Sequence, residues 1–290
     1  GGGRPVLHCA FHWSEDGLCL GAAMTDTTGE MLETFSALFP GVGQQNAPDN
    51  EGKARDAASR GMIAKLWASV EEWLRRCYKA KARVVIASLG VCVPKDLEDW
   101  REILESAKVG SEGSPCGEAH VVQVAVLRAL QLLSTEVGSG GALSVDTWPF
   151  PPQRVNNVEM SSALASPSPS FLLRSQHRFC FPPFLSPPTI PRATCVVVSA
   201  PTRDEEETCS PGLDTAGLWP TLLEMSLHFS VPQAKQEGAN SDKDLIAQIS
   251  KEYHALSWAT AHPCFPMRQS VLPLHIIVAK RVALAASAVV

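Results

Sequence analysis

The chain holds many residues able to do chemistry, but few stand at the spacings that chemistry needs. Its nine cysteines are Cys9, Cys19, Cys77, Cys92, Cys116, Cys180, Cys195, Cys209 and Cys264, and no two form a C-x-x-C pair. That leaves a structural zinc site with little support and reads each thiol as a small buried hydrophobe. Gly17-Leu18-Cys19-Leu20-Gly21 lacks the context of a phosphate loop, and Gly138-Ser139-Gly140-Gly141 is not followed by Lys-Ser/Thr. Ser139 sits among glycines without the spacing of a G-x-S-x-G nucleophile elbow. Arg75, Arg76, Lys79, Lys81 and Arg83 form the densest run of positive charge. They could line a nucleic-acid groove, or be the solvated end of a helix, where cations suit the dipole. Trp67, Trp73, Trp100 and Trp258 fall on helical faces, which favours core packing over base stacking.

The bulk composition bounds the rest. Hydrophobic residues make up 45% and charged residues 19%, enough apolar surface for a sizeable core. The net charge of −5 weighs against a protein whose main task is gripping phosphate, although a local basic groove can sit on an acidic chain. The odd cysteine count and the lack of a signal peptide suggest reduced thiols in the cytosol or nucleus. Val271 to Val290 is apolar, but Lys280 and Arg281 near its middle would be costly in a bilayer. It reads as a buried strand from Val271 to Val278 followed by a helix around Arg281 to Ala286, with no membrane partner.

The elements that must position these residues follow from periodicity and turn chemistry. Pro5 to Trp13, Leu18 to Met24 and Glu30 to Phe35 read as three strands, separated by turns at Ser14-Glu15-Asp16-Gly17 and Thr25 to Gly29. A polar loop is expected from Gly41 to Asp56. Ile63, Leu66, Trp67, Val70, Leu74 and Cys77 then recur at helical spacing. Ala82 to Ala87 is a continuous apolar run, as expected of a strand covered on both faces. Pro94 opens a helix through Leu97 to Leu104. Val121 to Leu127 reads as a strand, with a helix through Leu133 as the alternative, and Ser139-Gly140-Gly141 ends it. Met160 to Arg192 is Ser/Pro-rich and is expected to form no regular element. Cys195 to Ser199 restores strand character. Asp204 to Glu207 reads as a solvated acidic loop, and Leu218 to Val231 mixes helix and strand signals. Ser241 is a plausible N-cap for a helix burying Ile246, Ile249, Tyr253 and Leu256. The order describes an α/β protein, a mixed sheet with helices packed on its faces. An antiparallel meander followed by helix and strand is the ribonuclease H-like order.

Several blocks resemble the Mediator subunit 13 family. They are Trp13-Ser14-Glu15-Asp16, Thr25-Asp26 and Gly29 to Thr34, then Lys65-Leu66-Trp67, Arg83 to Ile86, Leu89-Gly90 and Leu97-Glu98-Asp99-Trp100. The most specific are Tyr253-His254-Ala255-Leu256-Ser257-Trp258 and Leu272-Pro273-Leu274-His275. The likeness covers roughly residues 5–107 and 195–282 and leaves the Ser/Pro stretch and Ala285 to Val290 unmatched. It implies a PIWI-like, ribonuclease H-like domain. The chain is then read as one such domain over residues 1–290, a fragment of a longer nuclear protein, with a disordered insertion at about 160–193.

The resemblance also implies a function. Such a subunit is a scaffold joining a cyclin-dependent kinase, its C-type cyclin and subunit 12 to core Mediator, and so regulating RNA polymerase II transcription as repressor or activator. PIWI domains in Argonautes can cleave RNA with carboxylates and a histidine holding two divalent metals. Here the stretch resembling their first strand is Cys9-Ala10-Phe11-His12-Trp13, without a carboxylate, so that Phe11 stands where the first acid would be, and Leu89 stands before Gly90 where a second aspartate would be. Glu15 and Asp16 lie beyond, in the turn. His275 alone matches, and it reads as a packed core histidine with one satisfied nitrogen. No catalytic, cofactor-binding or metal-binding residue is therefore expected, nor any cofactor. The alternative is an Argonaute-like domain that binds nucleic acid without cleaving it. Ser-Pro pairs at Ser166, Ser168, Ser186 and Ser210 suggest proline-directed phosphorylation.

Overall fold

The computed structural model describes residues 4–39, 51–90, 93–128, 144–149, 169–174, 191–199, 221–232, 238–258 and 272–288. Its elements are β1 (Val6–Trp13), β2 (Cys19–Thr25), β3 (Leu32–Leu38), α1 (Glu51–Cys77), β4 (Ala82–Leu89), α2 (Pro94–Ser106) and β5 (Cys116–Arg128). Then follow β6 (Ser144–Pro149), β7 (Pro169–Arg174), β8 (Ala193–Ser199), β9 (Thr221–Val231), α3 (Gly238–Trp258) and α4 (Leu274–Ser287). The nine strands form one sheet in the order β3-β2-β1-β4-β5-β9-β8-β7-β6. β1, β2 and β3 are an antiparallel meander, while β4 and β5 run parallel to β1. β5 to β9 and the outer strands pair antiparallel. This is the expected ribonuclease H-like order, and parallel β1, β4 and β5 require the crossover helices α1 and α2.

Alternation along the strands divides the core. Leu7, Cys9 and Phe11 of β1, with Val84 and Ile86 of β4, pack under α1 and α2 against Leu66, Trp67, Val70, Trp100 and Leu104. Ala10, Val85, Ala87, Val122 and Val124 face the other way, under Ile249 and Tyr253 of α3 and Ile276 and Ala279 of α4. A strand covered on both faces reads as a continuous apolar run, which is why Ala82 to Ala87 could be placed. On the α4 side β2 presents the small Gly21 and Ala23, for a related reason. A Cβ on Gly21 would lie 2.3 Å from the Ala283 nitrogen and 2.7 Å from the Ala279 oxygen, so α4 rests directly on the strand backbone.

Several expectations are corrected. α1 begins at Glu51, so 51–56 is helix rather than loop: Glu51, Lys53, Ala54 and Arg55 are good helix formers that needed no apolar stripe. Residues 41–50 of that loop lie outside the described residues. β3 runs on to Leu38, and β5 begins at Cys116 and is strand throughout its described length. The Ser/Pro stretch is not without regular structure, for β7 lies in it, paired to β6 and β8. Pro169 and Pro149 face each other at strand ends, where a missing N–H costs least. Strand β6 was not foreseen. Thr221–Val231 is wholly strand. α3 begins at Gly238, so Ser241 is inside it rather than its cap. Of the strand expected from Val271 to Val278, the described part, from Leu272, is no strand: α4 starts at Leu274 and continues unbroken. Periodicity cannot separate a short apolar run of helix from one of strand. Pro273 at the N-cap and buried His275, Ile276, Ala279 and Ala283 carry the helical spacing. The Gly138–Gly141 break, the Asp204 to Glu207 run and the four Ser-Pro serines lie outside the described residues.

Candidate functional site

The resemblance sets a PIWI nuclease's first acid at Phe11, within β1, and its second at Leu89, the last residue of β4. Phe11 pairs with Ser88, so Leu89 follows at the level of His12. Phe11 and Leu89 do not share a face. Phe11 is buried under α2, its ring 5.6 Å from that of Trp100. Leu89 packs on the opposite side, among the residues under α3 and α4. The β1 residue on that side is His12, half-buried, and its neighbour from α4 is Lys280, which is exposed. Burial lowers the His12 pKa, the Lys280 ammonium lowers it further, and a hydrogen bond with the Leu89 backbone opposes both. Leucine has no donor atom and an ammonium repels a cation, so His12, whose neutral imidazole could ligate, stands there without the carboxylate oxygens that a hard divalent metal needs. Glu15 is exposed, and Asp16 accepts from Leu18 N–H at 2.9 Å and from the Ser14 hydroxyl, shaping the hairpin.

Two buried acids come from α2, one of them bonded to Trp13 at the end of β1, and were missed in the sequence. Asp96 accepts from Trp13 Nε1 at 3.1 Å, and burial pushes its pKa up to about 6, with Asp99 raising it further. Asp99 is fully buried and held by Lys95 at 2.9 Å. Their signal was the i, i+3 spacing within an apolar helical face that includes Leu97 and Trp100. Both lie on the α1/α2 side, across the sheet from Leu89. Glu224 of β9 is also buried, and burial alone raises its pKa to about 7.

His275 lies elsewhere. It sits in the first turn of α4, fully buried, its ring 5.6 Å from His8 and 4.9 Å from Tyr253. His8 precedes His12 by four strand residues, which is ~13 Å along β1. Among the described residues neither ring nitrogen of His275 has a hydrogen-bond partner, where one satisfied nitrogen was expected. Burial, and then His8, hold its pKa well below the usual value, so it is a neutral packed ring. Around it lies a polar cluster bridging sheet and helix. His8 Nε2 is 3.2 Å from Glu252 Oε2, and Arg83 donates to Glu252 Oε1. Burial pulls the Glu252 carboxyl upward, but His8 and Arg83 override it and hold it below its ordinary value. His120 Nδ1 meets Ser230 Oγ at 2.9 Å. Burial, reinforced by Arg83, takes the His120 pKa down to about 3. Among the described residues, no three His, Cys, Asp or Glu side chains are placed to share a metal.

The basic run does not line one groove. Arg75 pairs with Glu71 at 3.0 Å and Arg76 with Glu33. Lys81 Nζ donates to the carbonyls of Gly110 and Ser111 at 3.3 and 2.6 Å, and Arg83 is buried against Glu252. Trp67, Trp73 and Trp100 are core residues, as their spacing implied. Cys9, Cys19 and Cys116 are buried free thiols, Cys195 is buried with its sulfur 2.9 Å from Ser250 Oγ, and burial pushes the Cys9 pKa up to about 12. Among the described residues no helix is long and apolar enough to cross a membrane.

The human Mediator of RNA polymerase II transcription subunit 13 is 31% identical over 70 residues, a match covering 20% of this chain and 3% of the human protein. Among solved structures, Marinitoga piezophila Argonaute in complex with 5′ OH guide RNA is similar at 13% identity and a TM-score of 0.47, over 96% of this chain and 29% of that one. Drosophila Piwi is similar at 13% identity and a TM-score of 0.39, again over 96% and 29%. The chain thus spans less than a third of each of these proteins. The family model for the Mediator complex subunit 13 C-terminal domain matches residues 3–216 and 175–279, and the chain, with its ribonuclease H-like, PIWI-like sheet, belongs to that family.

Proposed function

We propose that this domain is a non-catalytic scaffold within a Mediator subunit, acting in the nucleus on RNA polymerase II transcription. Family membership supports the Mediator role. The finer reading is that the domain helps join the kinase module, a cyclin-dependent kinase with its C-type cyclin and subunit 12, to core Mediator. The observation that carries the non-catalytic part is the edge of β1 and β4, where, among the described residues, Leu89, His12 and Lys280 stand on one face without a carboxylate. A two-metal centre needs converging acids to hold its cations.

The test has two arms. A tagged full-length protein should recover the kinase, cyclin and subunit 12 from nuclear extract; recovery of core Mediator without them would overturn the kinase-module reading. In parallel, the chain should leave single-stranded RNA intact in magnesium or manganese. Cleavage abolished by His275→Ala would overturn the non-catalytic reading.

A further inference from the structure

Among the described residues, β3 ends the sheet with no strand beyond it. Register decides which of its backbone groups are left over. Phe39 N–H donates to Leu18 O at 2.7 Å, and these two extend the register in which Cys19 faces Leu38. Hydrogen-bonded and non-hydrogen-bonded positions alternate along an antiparallel pair. Glu33, Phe35 and Ala37 therefore turn N–H and C=O toward β2, while Leu32, Thr34, Ser36 and Leu38 turn theirs away from it. The same four side chains are exposed, Leu32 by 44% and Leu38 by 51%, and none is charged. Natural sheet edges are usually guarded by lysine, proline or a bulge. The one charge in β3, Glu33, is on the other face and taken by Arg76.

The edge is also self-complementary. Read outward, the positions are Leu, Thr, Ser, Leu. A two-fold axis through Phe35 sets Leu32 opposite Leu38 of a second copy, and Thr34 opposite Ser36. All four outward positions then fall as hydrogen-bonded pairs, apolar against apolar and hydroxyl against hydroxyl. We propose that β3 is an interaction edge whose occupant is β3 of a second copy of this chain, joined antiparallel about that axis. Such an isologous contact closes on itself, and closed two-fold pairs are the commonest form of association between like chains.

Sedimentation velocity of the 290-residue chain tests this. The mass should double as concentration rises across a hundredfold range. Leu32→Lys with Leu38→Lys puts like charges opposite, as does Leu32→Glu with Leu38→Glu. Each double variant should dimerise at least on the order of tenfold more weakly, and mixing the two should restore the dimer. Independently of any variant, amide exchange at Thr34 and Ser36 should slow as concentration rises. A chain that stays monomeric throughout the range would overturn the proposal. So would a dimer indifferent to both variants, exchange independent of concentration, or an edge protected only when an extended apolar peptide is added.

Discussion

Glu252 shows how a single side chain can be necessary without being catalytic. It reaches from α3 to both His8 and Arg83, and Arg83 is buried. Removing one partner of a buried ion pair strands the other charge. Glu252→Gln keeps the shape and removes the charge, and urea titration near neutral pH should show a loss of about 3 kcal/mol. The pH dependence has a definite sign. The folded pKa lies below the ordinary value, so the stabilisation is present above the unfolded pKa of roughly 4.3 and is lost as pH falls through the folded value. Glu252→Gln should flatten that acid limb; an unchanged limb would show that the ion pair is not what holds α3. His275 makes the complementary point. The residue nearest in type to a nuclease ligand is a neutral ring packed against His8 and Tyr253.

Two elements decide the geometry of the α3/α4 face. α4 approaches β2 so closely that Gly21 has no room for a methyl group, and the atoms in the way are backbone. Backbone cannot rotate aside, so α4 would have to shift. Gly21→Ala should destabilise the chain by about 3 kcal/mol, the upper part of the range for overpacking, with faster amide exchange concentrated in α4. A stable variant with α4 exchange unchanged would refute the close contact. The sequence showed α4 as an apolar run but not its kind, because strand and helix both bury such runs. β7 was hidden by composition, since Ser and Pro argued against any regular element. Pairing with β6 and β8 supplied what local propensity did not.

For the whole molecule, the question is whether the PIWI-like sheet retains a grip on nucleic acid. The net charge is −5, and most of the basic run is spent within the fold: Arg75 and Arg76 on acids, Lys81 on carbonyls, Arg83 in the core. A phosphate-binding groove needs cations that are free and on one surface. Fluorescence anisotropy with single-stranded RNA should therefore show no salt-dependent binding by the 290-residue chain, even at low salt. A steep loss of affinity with added salt would favour the nucleic-acid alternative.

The sequence by itself determined the strands and helices whose periodicity and turns are local: β1 and β2 around Ser14 to Gly17, the buried stripe of α1, the two-sided β4 and the proline start of α2. It also determined that Leu89 is no metal ligand, because a leucine side chain has no donor atom whatever surrounds it. Only the tertiary structure decided which side chains meet. Parity along a strand and register between strands set the face of every residue, and one position's shift reverses it. That is why Phe11 and Leu89, matched in the sequence as one site, lie on opposite sides of the sheet, and why His12 and Lys280 stand at the β1 and β4 edge instead. Arg83 appeared in the sequence as one of a run of surface cations. Its partner, Glu252, is remote in sequence, and only folding could make it a core residue.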